Sequence, residues 1–222
     1  MKYIFRQRIY IILMLGFVVL FSGLTSCTYH HYKGLEKSST AISIPNIFDS
    51  SFQKATYVTD LEVFGNELGG ITIIKKVEQS NTFHVVFMSQ IGLKYFDLEI
   101  AIEKDTNWFS INYIMESLNR DFILTALQTD FELLFSKFPS GAQKQFYKHP
   151  EKDIREVIIL KNGKEVTSYL FENRQVPLIS LLKGSSVIAS VKILETKANH
   201  PTHININHRK ARLKIVLKEI EM

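Results

Sequence analysis

The chain has 222 residues, of which 27 are basic and 22 acidic, and its formal net charge is +5. Three of the basic residues and none of the acidic ones lie in residues 1–26, so the remaining 196 residues carry a net charge of only +2. That near-neutral balance gives no indication of a nucleic-acid partner. The single cysteine excludes intrachain disulfides, so the fold must be stabilised by its apolar core.

The first 26 residues have the layout of a secretory signal. Lys2, Arg6 and Arg8 form a basic segment, and the run from Ile9 to Phe21 is almost entirely apolar. This run is short for a membrane-spanning helix, which needs ~20 apolar residues. We therefore expect residues 1–26 to be a signal peptide.

The only cysteine directly follows this segment. Leu24-Thr25-Ser26-Cys27 resembles the bacterial lipobox, in which cleavage leaves the cysteine as the first mature residue. The resemblance implies a lipidation site at Cys27, carrying diacylglycerol and an N-acyl chain. An uncleaved anchor with an incidental thiol is the alternative, and both interpretations place the rest of the chain outside the cytoplasm at a membrane.

Residues 27–51 are polar and rich in turn formers, which predicts a lipidated tether ahead of a domain spanning residues 52–222. The residues that follow Cys27, Thr28 to His31, include no acidic side chain. Some bacteria use acidic residues at this place to send lipoproteins to the cell surface. Their absence favours the periplasmic face of the outer membrane.

From about Lys54 onward, apolar and polar residues alternate with the period of two that predicts half-buried strands. Short connections, among them Asn162-Gly163, predict antiparallel hairpins. About ten strands are expected, at residues 56–64, 70–77, 82–88, 93–100, 108–113, 154–161, 165–171, 187–195, 202–207 and 212–220.

One segment between these strands has helical periodicity instead. Apolar residues recur at i, i+3 and i+4 spacings over roughly Glu116 to Lys137, with a break expected near Asn119-Arg120-Asp121. A sheet of about ten strands twists and curls. The expected fold is mainly β (α+β): a curved antiparallel sheet forming an incomplete barrel, with a central helix covering the concave side.

This order of elements resembles the LolA/LolB family of periplasmic lipoprotein-localisation proteins. The most specific likeness is the corner within Phe87-Met88-Ser89-Gln90-Ile91-Gly92-Leu93-Lys94-Tyr95-Phe96-Asp97. In LolB-like proteins an exposed aliphatic residue at such a corner contacts the membrane. The resemblance therefore implies a membrane-insertion loop at Ile91, Gly92 and Leu93.

The family resemblance also implies that the concavity holds acyl chains of lipoproteins or lipids, delivered by a soluble LolA-like carrier and passed on without covalent chemistry. The lipid anchor favours a LolB-like receptor or chaperone. The alternation of the strands suggests candidate cavity-lining residues, although an ordinary packed core is the favoured interpretation of each and the alternation does not separate the two: Phe83, Val85, Phe87, Phe96, Leu98, Phe109 and Ile111.

No catalytic or metal-binding motif is recognised, so neither an enzyme nor a bound cofactor is expected. Asp97 and Glu99 share one strand face but lack a nearby nucleophile, and a polar outer face explains them better than acid–base catalysis. His200, His203 and His208 cannot all point the same way on a strand. A structural or assembly lipoprotein, whose concave sheet binds a protein partner, remains the alternative function.

Overall fold

A computed structural model describes residues 34–44, 46–77, 82–102, 108–136, 141–161, 165–173, 175–197 and 200–220. These residues form one curved, mainly β structure, in which thirteen antiparallel strands make a single sheet that does not close. The strands are β1 (Glu36–Ser38), β2 (Lys54–Val63), β3 (Asn66–Lys76), β4 (Thr82–Met88), β5 (Lys94–Ala101), β6 (Phe109–Ile114), β7 (Lys144–Lys148), β8 (Ile154–Lys161), β9 (Glu165–Glu172), β10 (Gln175–Lys183), β11 (Ser186–Lys197), β12 (His200–His208) and β13 (Leu213–Glu219).

The sheet consists of two meanders joined by the pairing of the last strand with β2. Its order is β1-β7-β8-β9-β10-β11-β12-β13-β2-β3-β4-β5-β6. Among the described residues, β1 and β6 are therefore the two edges. Every pairing is antiparallel, and the inherent twist of so many strands makes the sheet curl into the expected incomplete barrel.

Alternating burial along the strands defines the inner, concave face of the sheet. In β2 the buried residues are Ala55, Tyr57, Thr59, Leu61 and Val63, and residues between them are exposed or half-buried. The same alternation recurs in β4. The alternation in the sequence therefore reflects the burial of only one face of each strand.

The predicted helix is confirmed, together with its break. Glu116–Leu118 form a 3₁₀ turn and α1 runs over Asp121–Leu134, so Asn119 and Arg120 separate the two. The helix lies against β10, β11 and β12. Phe131 also reaches across to Phe96 on β5, with ring centroids 6.3 Å apart. The helix therefore covers the concave side, and no helix of the described residues is long and apolar enough to cross a membrane.

Three strands exceed the ten that alternation predicts. β1 has only three residues and lies in the segment expected to be a tether, and β7 has five. β10 contains Pro177, which removes a backbone donor and argues against a strand. Pro177 lies where the β9–β10 register shifts, between Gln175 and Leu178, and this irregularity accommodates it.

The segment expected to be a tether, residues 27–51, joins the folded domain from Glu36 onward. Glu36 to Ser38 pair with β7, and Phe48 is 5% exposed within the apolar core. The polar composition of this segment does not predict that it packs on the folded domain, because only a few of its side chains are apolar and contact the sheet. Residues 1–33, which include the predicted signal peptide and Cys27, lie outside the described residues.

Candidate functional site

The segment between β1 and β2 crosses the concave opening of the sheet. We call residues 39–44 and 46–53 the strap. It leaves β1 at one edge of the sheet and reaches β2 eight positions further along the strand order. Ile42, Ile44 and Ile47 are partly buried against the core. The strap therefore roofs part of the concavity.

A cavity of about 560 Å³ lies between the strap and the concave face of β7–β9. Its volume is within the range typical of small-molecule sites, about 300–1,000 Å³. The lining combines apolar side chains, hydroxyls and two basic groups: Ser38, Thr40, Ala41, Ile42, Ser43, Lys148, Arg155 and Phe171.

Strand register places the basic groups of this cavity on the concave face. Lys148 pairs with Arg155 across β7–β8, and Arg155 pairs with Phe171 across β8–β9. Directly paired residues of antiparallel strands share a face, and Phe171 belongs to the apolar core. An apolar wall therefore adjoins two cationic side chains.

The two basic groups differ in their acidic neighbours. The Arg155 Nη2 atom lies 2.6 Å from Oδ1 of Asp153, and both side chains are about 40% exposed. Lys148 is exposed and makes no ion pair with another described residue, although Glu36 is its register partner on β1. The cavity consequently presents positive charge to a ligand.

The other end of the strap is held by an aromatic cluster. The Phe48 ring lies 4.9 Å from Phe52 and 5.1 Å from Phe135 at the end of α1, measured between centroids. Phe135 in turn lies 4.6 Å from Phe83 on β4. A cavity of about 140 Å³ borders this cluster and is also lined by Lys76. Its walls are the strap, the helix end and the sheet.

The structure places most of the proposed cavity-lining residues in the packed core. Phe83, Val85, Phe87, Phe96 and Leu98 are at most 6% exposed. Of these, Phe83 lines a described cavity, the smaller one.

The two remaining proposed lining residues are on the edge strand β6. Register pairs Phe109 with Ile100 and Ile111 with Leu98. Phe109 is half-buried and Ile111 is 38% exposed. Alternation therefore predicts which strand residues face the concave side. It does not predict the two cavities beside the strap.

The predicted membrane-insertion loop is exposed at a hydrogen-bonded corner. Ile91 is 93% exposed and Leu93 is 53% exposed. Gly92 has φ 85°, a left-handed conformation that favours glycine. The Ser89 N–H donates to the Leu93 carbonyl at 2.8 Å, and the Ser89 hydroxyl accepts from the Leu93 N–H at 3.0 Å. The corner therefore presents Ile91 to solvent.

Asp97 forms a polar cluster on the outer face of β4–β6. Its carboxylate lies 2.5 Å from His84 Nε2, and it accepts hydrogen bonds from Lys94 at 2.6 Å and Asn112 at 3.2 Å. Burial raises the pKa of Asp97, but these hydrogen bonds outweigh it and leave the pKa below its ordinary value. Glu99 is exposed. The geometry is that of an ionised, structurally paired carboxylate.

Two of the three clustered histidines have carboxylate partners inside the fold. His200 Nε2 lies 2.7 Å from Glu219, and His208 Nδ1 lies 3.0 Å from Asp130 on α1. Both histidines are buried, whereas His203 is half-buried. No group of three metal-ligating side chains occurs among the described residues.

The sequence matches no protein-family model and no curated protein. Among solved structures, the chain is similar to a DUF1329 family protein from Desulfovibrio piger, with a TM-score of 0.40 and 11% identity over 78% of this chain and 85% of that one. It is also similar to a domain from Vibrio parahaemolyticus described as an outer membrane lipoprotein-sorting protein domain. That likeness has a TM-score of 0.40 and 7% identity over 78% of this chain and 86% of that one. Likeness at this level carries no argument about function.

Sequence reasoning missed the strap, Lys148 and Arg155. A signal was present in Ile42, Ile44 and Ile47, apolar residues within the polar segment. Their spacing does not identify a strand or helix, so only the tertiary structure reveals that they face the core.

Proposed function

We propose that this protein is a non-enzymatic bacterial lipoprotein whose strap-roofed concavity binds the acyl chain of a lipoprotein or lipid. In this proposal Cys27 anchors it to the outer membrane, on the periplasmic face, and it acts as a LolB-like receptor or chaperone. The observation that supports the proposal most is the 560 Å³ cavity between the strap and the apolar concave face.

The chemistry of the cavity suits an amphiphile with an acyl tail. Each CH₂ group removed from water stabilises the bound state by ~0.8 kcal/mol. Phe171 and Ile42 offer apolar contact, while Lys148 and Arg155 stand where an anionic headgroup would lie. Binding of this kind needs no covalent step.

In this proposal, the strap controls how a ligand enters and leaves the concavity. Acyl chains that extend beyond the cavity would enter by displacing Phe48 and Phe52 from the aromatic cluster. Ile91, at the exposed corner, would contact the bilayer that receives the chain. Several acyl chains hold a lipoprotein in a bilayer far more firmly than one, which makes delivery effectively one-way.

Photo-crosslinking tests the proposal on the full chain. The protein, purified from membranes in detergent, is exposed to a photoactivatable fatty acid, and crosslinked peptides are mapped by mass spectrometry. Crosslinks are expected on the strap and on β7–β9. Ala41→Trp fills the cavity and is expected to remove them.

A second cavity provides the matched control. It has a volume of about 550 Å³, and its lining includes Val216, three acidic residues (Asp60, Glu62 and Glu67) and one basic residue (Lys214), so it is net acidic. Val216→Trp fills it and should leave crosslinking unchanged. Crosslinks that are scattered over the surface, or that persist in Ala41→Trp, would contradict acyl binding under the strap.

The edge strand β6 supports the alternative of a structural or assembly lipoprotein. Ile111 and Tyr113 are 38% and 43% exposed there, and β6 ends the sheet among the described residues. An edge strand presents unpaired backbone groups to a partner. A lipidated protein whose concavity takes up no fatty acid would favour this role.

A further inference from the structure

Two hairpin turns meet at one end of the sheet. Phe64 and Gly65 connect β2 to β3, and residues 209–212 connect β12 to β13. The Phe64 N–H donates to the Arg212 carbonyl at 3.2 Å, so the two turns are bonded to each other. We call Phe64, Phe122 and residues 209–212 the tip.

Phe64 occupies an unfavourable backbone conformation. Its φ is 50°, which is in the left-handed region. Gly, Asn and Asp adopt this region more readily than other residues do. Such a conformation costs about 1 kcal/mol or more for a bulky residue. Two-residue hairpin turns usually carry Asn or Gly there. Strain of this kind at an exposed position points to a role other than folding.

Phe64 is paired with a second exposed aromatic residue. Its ring lies 5.1 Å from that of Phe122, on the first turn of α1, with an interplanar angle of 81°. Each of the two side chains remains 48% exposed. The pair therefore forms an apolar surface that the fold leaves in contact with water.

Basic side chains adjoin this aromatic pair. Arg209, Lys210 and Arg212 are exposed, and neither turn contains an acidic residue. Arg212 also has a left-handed φ, of 43°. The tip thus combines aromatic rings with positive charge.

The nearest acidic groups along β2 and β3 lie behind the tip. Glu62 and Glu67 are register partners, and Lys214 is paired with Glu62 from β13. Glu62 and Glu67 are separated from the turns by at least one residue. Asp121, next to Phe122, is the exposed acidic residue beside the tip.

We propose that the tip is a docking surface for an anionic lipid bilayer. Aromatic side chains favour the bilayer interface, and each Lys or Arg near an anionic membrane surface contributes about 1 kcal/mol. Strand direction puts the tip at the same end of the sheet as Ile91. The contact goes beyond acyl binding and does not depend on it.

Fluorescence quenching in the anchored full chain tests the proposal. Trp108 is the single tryptophan, so Phe64→Trp in a Trp108→Phe background places one reporter at the tip. The protein is reconstituted into phosphatidylcholine vesicles with brominated acyl chains, with or without phosphatidylglycerol. The reporter is expected to be quenched when phosphatidylglycerol is present.

Val58→Trp in the same background is the matched control. Val58 is 49% exposed, close to the 48% of Phe64. It lies six residues earlier on β2, about 20 Å from the turn. This reporter should remain unquenched. Arg209→Gln with Lys210→Gln should abolish quenching at position 64, whereas Lys192→Gln with Lys218→Gln, at exposed strand positions, should not.

Two results would overturn the proposal. Equal fluorescence of the position 64 reporter and the Val58→Trp control in anionic vesicles would show that the tip does not touch the bilayer. Quenching that is the same in neutral vesicles and survives Arg209→Gln with Lys210→Gln would remove its electrostatic basis. Fatty-acid crosslinking, measured on the same variants, reports separately on the cavity.

Discussion

Asp130 is a carboxylic acid held out of contact with water between α1 and β12. Its side chain is fully buried, and Oδ1 lies 3.0 Å from His208 Nδ1. Its other oxygen has no hydrogen-bond partner among the described residues. Burial raises the pKa of Asp130 from an ordinary 3.8 to about 6, although His208 opposes this shift.

The raised pKa predicts that the contribution of Asp130 to stability falls as pH rises from about 4 to 6. Below pH 4 the carboxyl is protonated in both the folded and unfolded states. Between the two pKa values the unfolded state releases the proton first, so the free energy of unfolding falls, by about 3 kcal/mol for this group. Urea unfolding at a series of pH values measures the slope.

Asp130→Asn should remove this contribution from the pH profile, because the amide does not titrate, so the slope between pH 4 and 6 should differ from that of the wild type. Asp121→Asn, on the exposed first turn of the same helix, is the control and should keep the wild-type slope. An Asp130→Asn profile that matches the wild type would show that the carboxyl is not buried as described.

The same residue pair shows what could be predicted from the sequence at this scale. His208 follows Ile204 and Ile206 at intervals of two, so alternation on β12 directs it toward the core. Its partner could not be predicted, because Asp130 is 78 residues away and its approach depends on how α1 packs. Sequence periodicity gives the face of a side chain but not its contact across the core.

At Gly70, β3 has no room for a side chain beside the end of β4. A Cβ atom at this position would lie 2.1 Å from the Met88 carbonyl oxygen, whereas one at Gly69 would have no atom closer than 4.0 Å. Gly70→Ala must therefore shift the backbone at the end of β4. We expect destabilisation of about 2 kcal/mol, measured by thermal unfolding, and little effect of Gly69→Ala.

The same substitution connects the sheet to the exposed corner. Met88 ends β4 immediately before the turn that carries Ile91. Displacing it should move the corner as well as weaken the sheet. Equal stability of the Gly70→Ala and Gly69→Ala variants would contradict the close approach of the two strands.

The basic residues of the larger cavity predict a preference for anionic amphiphiles. Lys148→Gln with Arg155→Gln should weaken binding of a fatty acid about five- to tenfold, since partly exposed ion pairs contribute at most about 1 kcal/mol each. Binding of the corresponding fatty alcohol should be unchanged. Competition against the photoactivatable fatty acid measures both.

Basic strand residues away from the cavity supply the control. Lys144→Gln with Lys192→Gln removes two exposed charges on β7 and β11, and should leave the order of affinities unaltered. If the cavity variant instead loses the fatty acid and the alcohol equally, the two residues act on cavity shape and not on the headgroup.

The strands and helix that can be predicted from the sequence are those set by local alternation and turn chemistry. The meander hairpins and the break before Asp121 follow from such local patterns. β10 was missed because Pro177 contradicts a strand locally and only a register shift accommodates it. The strap could not be predicted, because its few apolar residues show no regular spacing and their burial depends on the concave face of the sheet.

For the whole molecule, an unclosed sheet makes lipid binding compatible with a stable core. The helix fills the concavity beneath β10–β12, and residues such as Leu98 and Phe96 are packed around it. Within the concavity, space remains beside the strap. A strap held by a few side chains can move without unfolding the sheet, because local opening costs less than global unfolding.

In the proposed function Cys27 attaches the protein to the membrane, and this attachment can be measured directly. We expect intact mass spectrometry of the protein from membranes to show a chain that starts at Cys27 and carries added acyl mass. Cys27→Ser should lose that mass, because serine has no sulfur to acylate. A chain that retains Met1 and a free thiol would contradict lipidation and leave only an apolar leader as the anchor. A lipidated chain with an additional non-covalent lipid would connect the anchor to the cavity, because one protein would then be attached to the membrane and occupied by the same class of molecule.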